Sequence, residues 1–571
     1  MFRENESDCQ QSFFDAGQWL GRSQREQLRN SWASTYRHTV HNKINEERFA
    51  VLYSDEPSRP NAPINHLVDF EILKSGFGWS DAEAHEQVSF NLLVRHAMGL
   101  DDLRASPFTL RTVYNFRRRV REHAERTGEN LMQRVFEDVT DAQLADVAIE
   151  TGWQRMDSTQ VLSNLANLSR LELIVGVAQQ AYAALEPDTQ AQWAEKMVPY
   201  MDGRPQQVCY RIQDGDVPTH LAHLGAWLVE WEAKLAVTAP QSDVWVKVRR
   251  VLAEQYRCEA DGAVTVRPAG EIAADSLQSP HDPDATYREK GGHSYPGGYV
   301  ANVSETVDPE NQVQLITDLQ VDQNVADDSQ MMEESLTGQA ARGIDVEEVT
   351  TDGGYTGPQG EAACERHGVT LRPTRLRGGR SSSDHWGWEK YQWEVDEEGH
   401  AIQVTCPQGQ TVPVTPGRAD GRYLARFDRQ VCAACPHFQH CCRVEPCDRL
   451  PPTLYVDQRT VEVARQRQRV RPEDRSVRAA VEATVRSLKH AFPGGKLPVR
   501  GLIRARMVLY GAAVMVNMRR LHRFRLAEAP EAEQSSVSVM QHLVFAIRSA
   551  IHRFWANLGP FSRFCVNYGS I

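Results

Sequence analysis

Arg478, Glu482 and Lys489 stand at i, i+4 and i+11 in the run from Ser476 to Lys489. The run is alanine-rich, holds no glycine or proline, and follows Pro472, so it reads as a helix. Eleven residues make almost a whole number of turns at ~3.6 residues per turn, which puts one acid and two bases on one stripe. A carboxylate flanked by cations is a poor core residue. It suits a metal ion facing a phosphate backbone, and such a site needs more carboxylates. Asp157 lies in Trp153-Gln154-Arg155-Met156-Asp157-Ser158-Thr159, at the end of a predicted strand. Asp352 follows Val346–Thr351, a β-prone run stopped by Gly353 and Gly354. Two acids at strand ends and a third on a helix could hold two divalent cations ~3.5–4 Å apart for in-line phosphoryl transfer. Mg²⁺ suits such a set because it prefers oxygen donors and keeps waters that substrate phosphates can replace.

Each group also has a plain structural reading. Asp157-Ser158-Thr159 could be a turn or helix cap. Asp352-Gly353-Gly354 could be an ordinary tight turn. The Arg478, Glu482, Lys489 stripe could be a solvated helix face held by ion pairs. Asp282 and Asp284, flanking Pro283 and following Pro280, are rival carboxylates that read more easily as turn residues.

Taken in order, Asp157, Asp352 and Glu482 resemble the acids of a bacterial insertion-sequence DDE transposase with a ribonuclease-H-like catalytic domain. The helix resembles a subgroup signature, Tyr-x2-Arg-x3-Glu-x6-Lys. Arg478, Glu482 and Lys489 match it, and Arg475 stands where the tyrosine would be. Asp352-Gly353-Gly354-Tyr355 resembles the family's second acid motif. Pro280 to Val307, with Asp282-Pro283-Asp284-Ala285 and Gly297-Gly298-Tyr299, resembles the stretch leading into the central strands. The resemblance implies that the three acids ligate two Mg²⁺ ions, one activating the attacking oxygen and the other stabilising the leaving one. It implies that Arg478 and Lys489 hold phosphates, and that the protein works as a homodimer on double-stranded DNA.

The elements that must position these residues can be placed in outline. The 571 residues suffice for three or four domains and a sizeable core. No apolar run approaches the ~20 residues of a membrane span, and the polar, acidic start from Met1 to Asp8 shows no secretory signal. A cytoplasmic, nucleoid-associated protein is expected. The formal net charge is −12, yet from Arg459 to Arg525 arginine and lysine outnumber the acids about fourfold, giving a local field that suits phosphates.

Residues 1–64 read as a helical extension and 65–145 as a helical DNA-binding module. In the module Ser80-Asp81-Ala82-Glu83 is a capping box opening a helix through His96. Thr109 opens another helix, Leu110 to about Ala124, with Val113, Phe116 and Val120 apolar at helical spacing. Arg117 and Arg118 are among the arginines on the rest of its surface, and they are candidate DNA contacts. The catalytic domain is expected in three pieces, 146–161, 265–374 and 456–525. Its hairpin is visible as Tyr299–Val303 and Gln312–Ile316 about the turn Asp308-Pro309-Glu310-Asn311. Between the pieces fall a helical insertion, 162–264, and a Cys-rich β insertion, 375–455. A helical tail, 526–571, ends the chain. The expected class is thus an α/β ribonuclease-H-like core, a mixed sheet flanked by helices, with an all-α N-terminal module and two insertions.

The β insertion holds six of the eleven cysteines. Cys432-x2-Cys435, with Cys406 and either Cys441 or Cys442, could make a structural Zn²⁺ site. The alternative is a set of reduced, buried thiols. Trp386, Trp388, Tyr391 and Trp393, near period two, could stack on an unpaired base or form one packed face of a strand. The expected activity is that of a transposase which binds the terminal inverted repeats, cuts there, and joins the ends to target DNA. A metal-dependent nuclease of the same fold and a non-catalytic, domesticated DNA-binding relative are the alternatives.

Overall fold

Strand β1 (Trp153–Leu162) is the middle of a six-stranded mixed sheet. β3 (His293–Thr306) pairs with it antiparallel, setting Asp157 opposite Val303. The outer edge of β3 takes β2 (Thr286–Lys290) along its first half and β4 (Ile316–Gln323) along its second, both antiparallel. On the other flank β5 (Glu348–Thr351) and β6 (Thr370–Pro373) follow parallel to β1. A hairpin side and a parallel side about one central strand, with helices on both faces, is compatible with a ribonuclease-H-like core. These observations come from a computed structural model, which describes residues 1–5, 16–54, 56, 60–105, 107–258, 264–290, 292–374, 386–396, 400–417, 422–438, 441, 451–469 and 474–528.

One face of the sheet joins the N-terminal helices in a single apolar core. Tyr36, Phe49, Phe70, Phe116 and Phe136 bury there with Tyr299, Val303 and Leu319 of the sheet and with the long Leu502–Glu528 helix. The first two expected units, 1–64 and 65–145, therefore share one core. The Ile64–Phe77 helix comes very close to the Leu502–Glu528 helix. A Cβ on Gly76 would stand 2.2 Å from Cγ of Met515, so only glycine allows this approach. The opposite face buries Met156, Val349, Leu371 and Tyr355 beneath the Asp328–Ala341 and Pro358–Arg366 helices.

Between β1 and β2 the chain forms a helical stretch with its own core about Trp193 and Trp231. After β6 comes a five-stranded antiparallel sheet, from Gln392–Val395 to Thr453–Asp457. Trp388, Tyr391 and Trp393 are buried in its core with ring centroids 6.1–6.4 Å apart, so these aromatics are a packed face rather than a base-stacking platform. The rest of the expected tail, 529–571, lies outside the described residues, as do Cys442 and Cys447. Among the described residues no helix is long and apolar enough to cross a membrane.

Three boundaries differ from the sequence reading for local reasons. The helix opened by the Ser80 capping box stops at Phe90, not His96. Asn91 turns out of it and caps a second helix, Leu92–Ala97, by accepting from the Leu93 and Val94 amides. The second hairpin strand begins at Ile316, not Gln312. Gln314 closes the turn instead, accepting from Thr306 Oγ1 at 2.7 Å and donating to the Asp308 carbonyl at 2.7 Å. Asp157 lies in mid-strand, because β1 continues to Leu162 along its long antiparallel partner.

Candidate active site and nucleic-acid interface

Asp157 lies just past the point where the parallel side of the sheet ends. The β1–β5 register pairs Trp153 with Glu348 and Arg155 with Thr350. Carried on two residues, it sets Asp157 beside Asp352, on strands ~4.8 Å apart. Asp352 is also the turn residue that its glycines suggest, since Oδ1 accepts from the Gly354 amide at 2.6 Å. The tight turn is therefore what holds the carboxylate at the strand end. Asp157 Oδ1 accepts from the Ser158 amide at 2.9 Å.

The third acid arrives on the Asp474–Lys489 helix, which packs across β1 and β5. Among its described side chains Thr484 and Leu488 are buried, and Glu482 lies exposed. Two polar ties fix the helix. Thr484 Oγ1 donates to Glu305 on β3 at 2.8 Å, where the same carboxylate also accepts from Arg155 at 2.7 Å and Arg520 at 2.8 Å. Lys489 Nζ donates to Thr159 Oγ1 at 2.6 Å and to the Gln160 carbonyl at 3.1 Å. Burial lowers the pKa of this ammonium, and the negative charge of Asp157 acts against that. Two of its three N–H donors are thus spent on β1. Arg478 is on the same helix, and its side chain lies outside the described residues.

Three further groups lie near Asp157: Lys290 and Asp328, which the sequence did not single out, and Tyr355 of the Asp352 motif. Lys290, at the end of β2, donates to Ser158 Oγ at 3.2 Å and lies 3.7 Å from Asp328. Asp328 is buried, with Arg288 also 3.7 Å away and Oδ1 without a hydrogen-bond partner among the described residues. Tyr355 is fully buried and donates to Asn302 Oδ1 at 2.7 Å. Burial, then the charges of Asp328, Asp157 and Asp352, push its hydroxyl far above the usual range. The sequence signals were poor. Asp328 follows Asp327, which caps the helix, so the pair reads as an ordinary helix start. The donors are oxygens, as Mg²⁺ prefers. Even so, among the described residues no group of three or more His, Cys, Asp or Glu side chains stands in metal-ligating geometry.

Asp282 and Asp284 do structural work. Asp282 is buried and accepts from Tyr299 at 2.7 Å and from the Gly501 amide at 2.9 Å, while Asp284 accepts from the Leu502 amide at 3.0 Å. They satisfy the free amides where the Leu502–Glu528 helix begins.

Arg117, an expected DNA contact, has partners inside the module. Its guanidinium is spent inside the module, donating to Glu71 at 2.6 Å and to both oxygens of Asp81 at 2.8 and 2.9 Å. Burial would raise the Asp81 carboxyl, but hydrogen bonds from Arg117 and Lys74 hold it at about 2. That stabilisation is complete above pH ~4 and is lost as the pH falls through about 2. Arg117→Ala leaves the buried Glu71 without its cation. It is expected to cost about 3 kcal/mol in urea unfolding; an unchanged midpoint would show the pairs contribute nothing. Arg118, next along, is exposed.

Cys406, Cys432, Cys435 and Cys441 line one small cavity, about 40 Å³, in the five-stranded unit. Tyr391 Oη is 3.0 Å from Cys441 Sγ, and Cys432 Sγ donates to Gln410 Oε1 at 3.7 Å. Burial, and then the neighbouring cysteines, push the Cys432 thiol up to about 11. Four sulfur donors match zinc in type and number, without the ligating geometry noted above.

The sheet order and its acids define a chain compatible with the ribonuclease-H-like class. A family model described as a transposase DDE domain matches residues 405–522, the stretch with these four cysteines, Glu482 and Lys489. The match supports the assignment of the chain to the insertion-sequence DDE transposases. Asp157 and Asp352 lie outside the matched residues. No curated protein and no solved structure matched the chain.

Proposed function

We propose that this chain binds the terminal inverted repeats of an insertion sequence and catalyses metal-dependent DNA cleavage and strand transfer. One observation carries the reading: Asp157 on β1 and Asp352, one residue past the end of the parallel neighbour β5, lie beneath the helix that bears Glu482. With Mg²⁺ bound, the site would gain the charge that activates an attacking oxygen and stabilises a leaving one. Asp157, Asp352 and Glu482 would hold the ions. Lys489 and Lys290, both beside the Asp157 strand, would attract the scissile phosphate. Arg478 would hold phosphates from the same helix. Two ends must be held together for joining, so a homodimer on DNA belongs to the proposal.

The test is an assay of purified protein with a duplex copied from the DNA bordering the coding region, a target plasmid and Mg²⁺. Cut ends joined to the plasmid support the reading. Cutting without joining would make the protein a nuclease. Binding without cutting would make it a non-catalytic relative.

The cysteines belong to the proposal as a structural zinc site. Cys406, Cys432, Cys435 and Cys441 would hold the ion as thiolates. Freshly purified, reduced protein is expected to carry about one zinc per chain, and Cys432→Ser to lower the thermal stability of this unit. Metal analysis that found no zinc would leave the cluster as buried thiols.

A further inference from the structure

The Leu110–Thr127 helix and the start of the Leu502–Glu528 helix face each other across a cleft of about 550 Å³. The two acids in its wall, Glu71 and Asp81, are already neutralised by Arg117 and Lys74. Four arginines remain. Arg118 and Arg121 come from the first helix, Arg500 and Arg504 from the second side. Arg118 and Arg504 are exposed and have no ion pair or hydrogen bond among the described residues. Arg121 pairs with Glu125 at 3.4 Å, so in a chain of net charge −12 this concave surface carries three surplus positive charges, unlike a mixed, solvated face.

The cleft is also tied to the active-site strand. Beyond the end of β1, the Asn164 amide donates to the Val499 carbonyl at 3.1 Å, and Arg500 Nε donates to the Asn164 carbonyl at 2.7 Å. The floor of the cleft therefore continues the strand that carries Asp157. Seven residues separate Asp157 from Asn164, which at ~3.3 Å per residue places the cleft roughly 20 Å from the acids. Along B-form DNA, at ~3.4 Å per step, that is about six base pairs.

We propose that this cleft seats the sugar–phosphate backbone of the element's end, about six base pairs inward from the cleavage point. The proposal rests on the transposase reading. The occupant is duplex DNA held through phosphates, because the acids of the wall are taken by Arg117 and Lys74 and the Asn164 side chain donates to the Pro498 carbonyl, which leaves guanidiniums whose geometry matches phosphate oxygens. Holding the duplex on the element side keeps the cut end in place for joining. The cleft thereby joins the N-terminal helices and the C-terminal helix into one DNA track leading to the acids.

The experiment uses the full chain and the duplex copied from the DNA bordering the coding region. Arg118→Ala with Arg504→Ala is expected to weaken binding about tenfold near physiological salt. It should also reduce the slope of log affinity against log salt by ~2, one for each lost phosphate contact. Backbone protection from hydroxyl radicals should vanish about six base pairs inside the end and persist at the cleavage point. Each single variant should lose about half the slope change. Arg211→Ala, in the helical stretch, is the control for a charge removed elsewhere. An unchanged slope and footprint in the double variant, beside a wild-type protein that binds and cuts the duplex, overturns the cleft alone. A wild-type protein that neither binds nor cuts it overturns the transposase reading instead. Circular dichroism melting that matches wild type confirms that the variants fold.

Discussion

Asp157→Asn, Asp352→Asn and Glu482→Gln are each expected to abolish DNA cleavage and joining while leaving binding of the element's end intact. Each change keeps the side-chain shape and removes one negative oxygen donor. Metal ions contribute several kcal/mol of charge stabilisation to a phosphoryl-transfer transition state. At ~1.36 kcal/mol per factor of ten, loss of one carboxylate should slow single-turnover cleavage by at least about a thousandfold. The effect on binding has the opposite sense. An acid beside a phosphate repels it when no metal is bound, so neutralising that acid should hold or slightly raise affinity measured without Mg²⁺. Near wild-type cleavage by any one purified variant would remove that residue from the site. Asp328→Asn belongs in the same series. The carboxylate is buried beside Lys290 and Arg288, and Tyr355 feels its charge together with those of Asp157 and Asp352. It should give an intermediate loss.

The local elements that carry the three candidate acids were legible from their neighbours. Gly353 and Gly354 announce the turn that holds Asp352, and the alanine-rich run announces the helix of Glu482. The spacing of Val113, Phe116 and Val120 likewise predicts the face that the Leu110–Thr127 helix buries. What depended on partners distant in sequence was not legible. Arg117 looks like every other arginine of its helix, and only the folded module brings Glu71 and Asp81 to it. Lys290 and Asp328 meet at Ser158 and Asp157 only because β2 and the Asp328–Ala341 helix converge on β1. No local pattern encodes that convergence. The end of β1 was misjudged for the same reason: its last residues are extended by the pairing with β3, not by their own β propensity.

Glu305 is the residue whose loss should cost the fold most. It has 0% exposure on β3, directly opposite Arg155 on β1. Its carboxylate accepts from Arg155, from Thr484 on the Glu482 helix and from Arg520 on the Leu502–Glu528 helix. Arg520 also donates to Thr484. One buried charge thus ties the sheet, the helix of the third acid and the C-terminal helix together. A buried carboxylate is tolerable only when paired and fully hydrogen-bonded, and Glu305 is both. Glu305→Ala removes the carboxylate shared by the buried Arg155 and the part-buried Arg520, with an expected loss of about 3–5 kcal/mol in urea unfolding. That is a large part of the ~5–15 kcal/mol that holds a typical domain folded. Thr484→Val separates positioning from stability. It keeps the volume, deletes the hydroxyl that donates to Glu305 and accepts from Arg520, and should cost about 1–3 kcal/mol. Because Thr484 lies two residues from Glu482 on the same helix, the loosened helix should still lower the cleavage rate. Affinity for the end should not change, since no DNA-facing arginine is touched. Thr484→Val that cleaved at the wild-type rate would show that packing of Leu488 and the Lys489 tie to Thr159 and Gln160 suffice to hold the third acid.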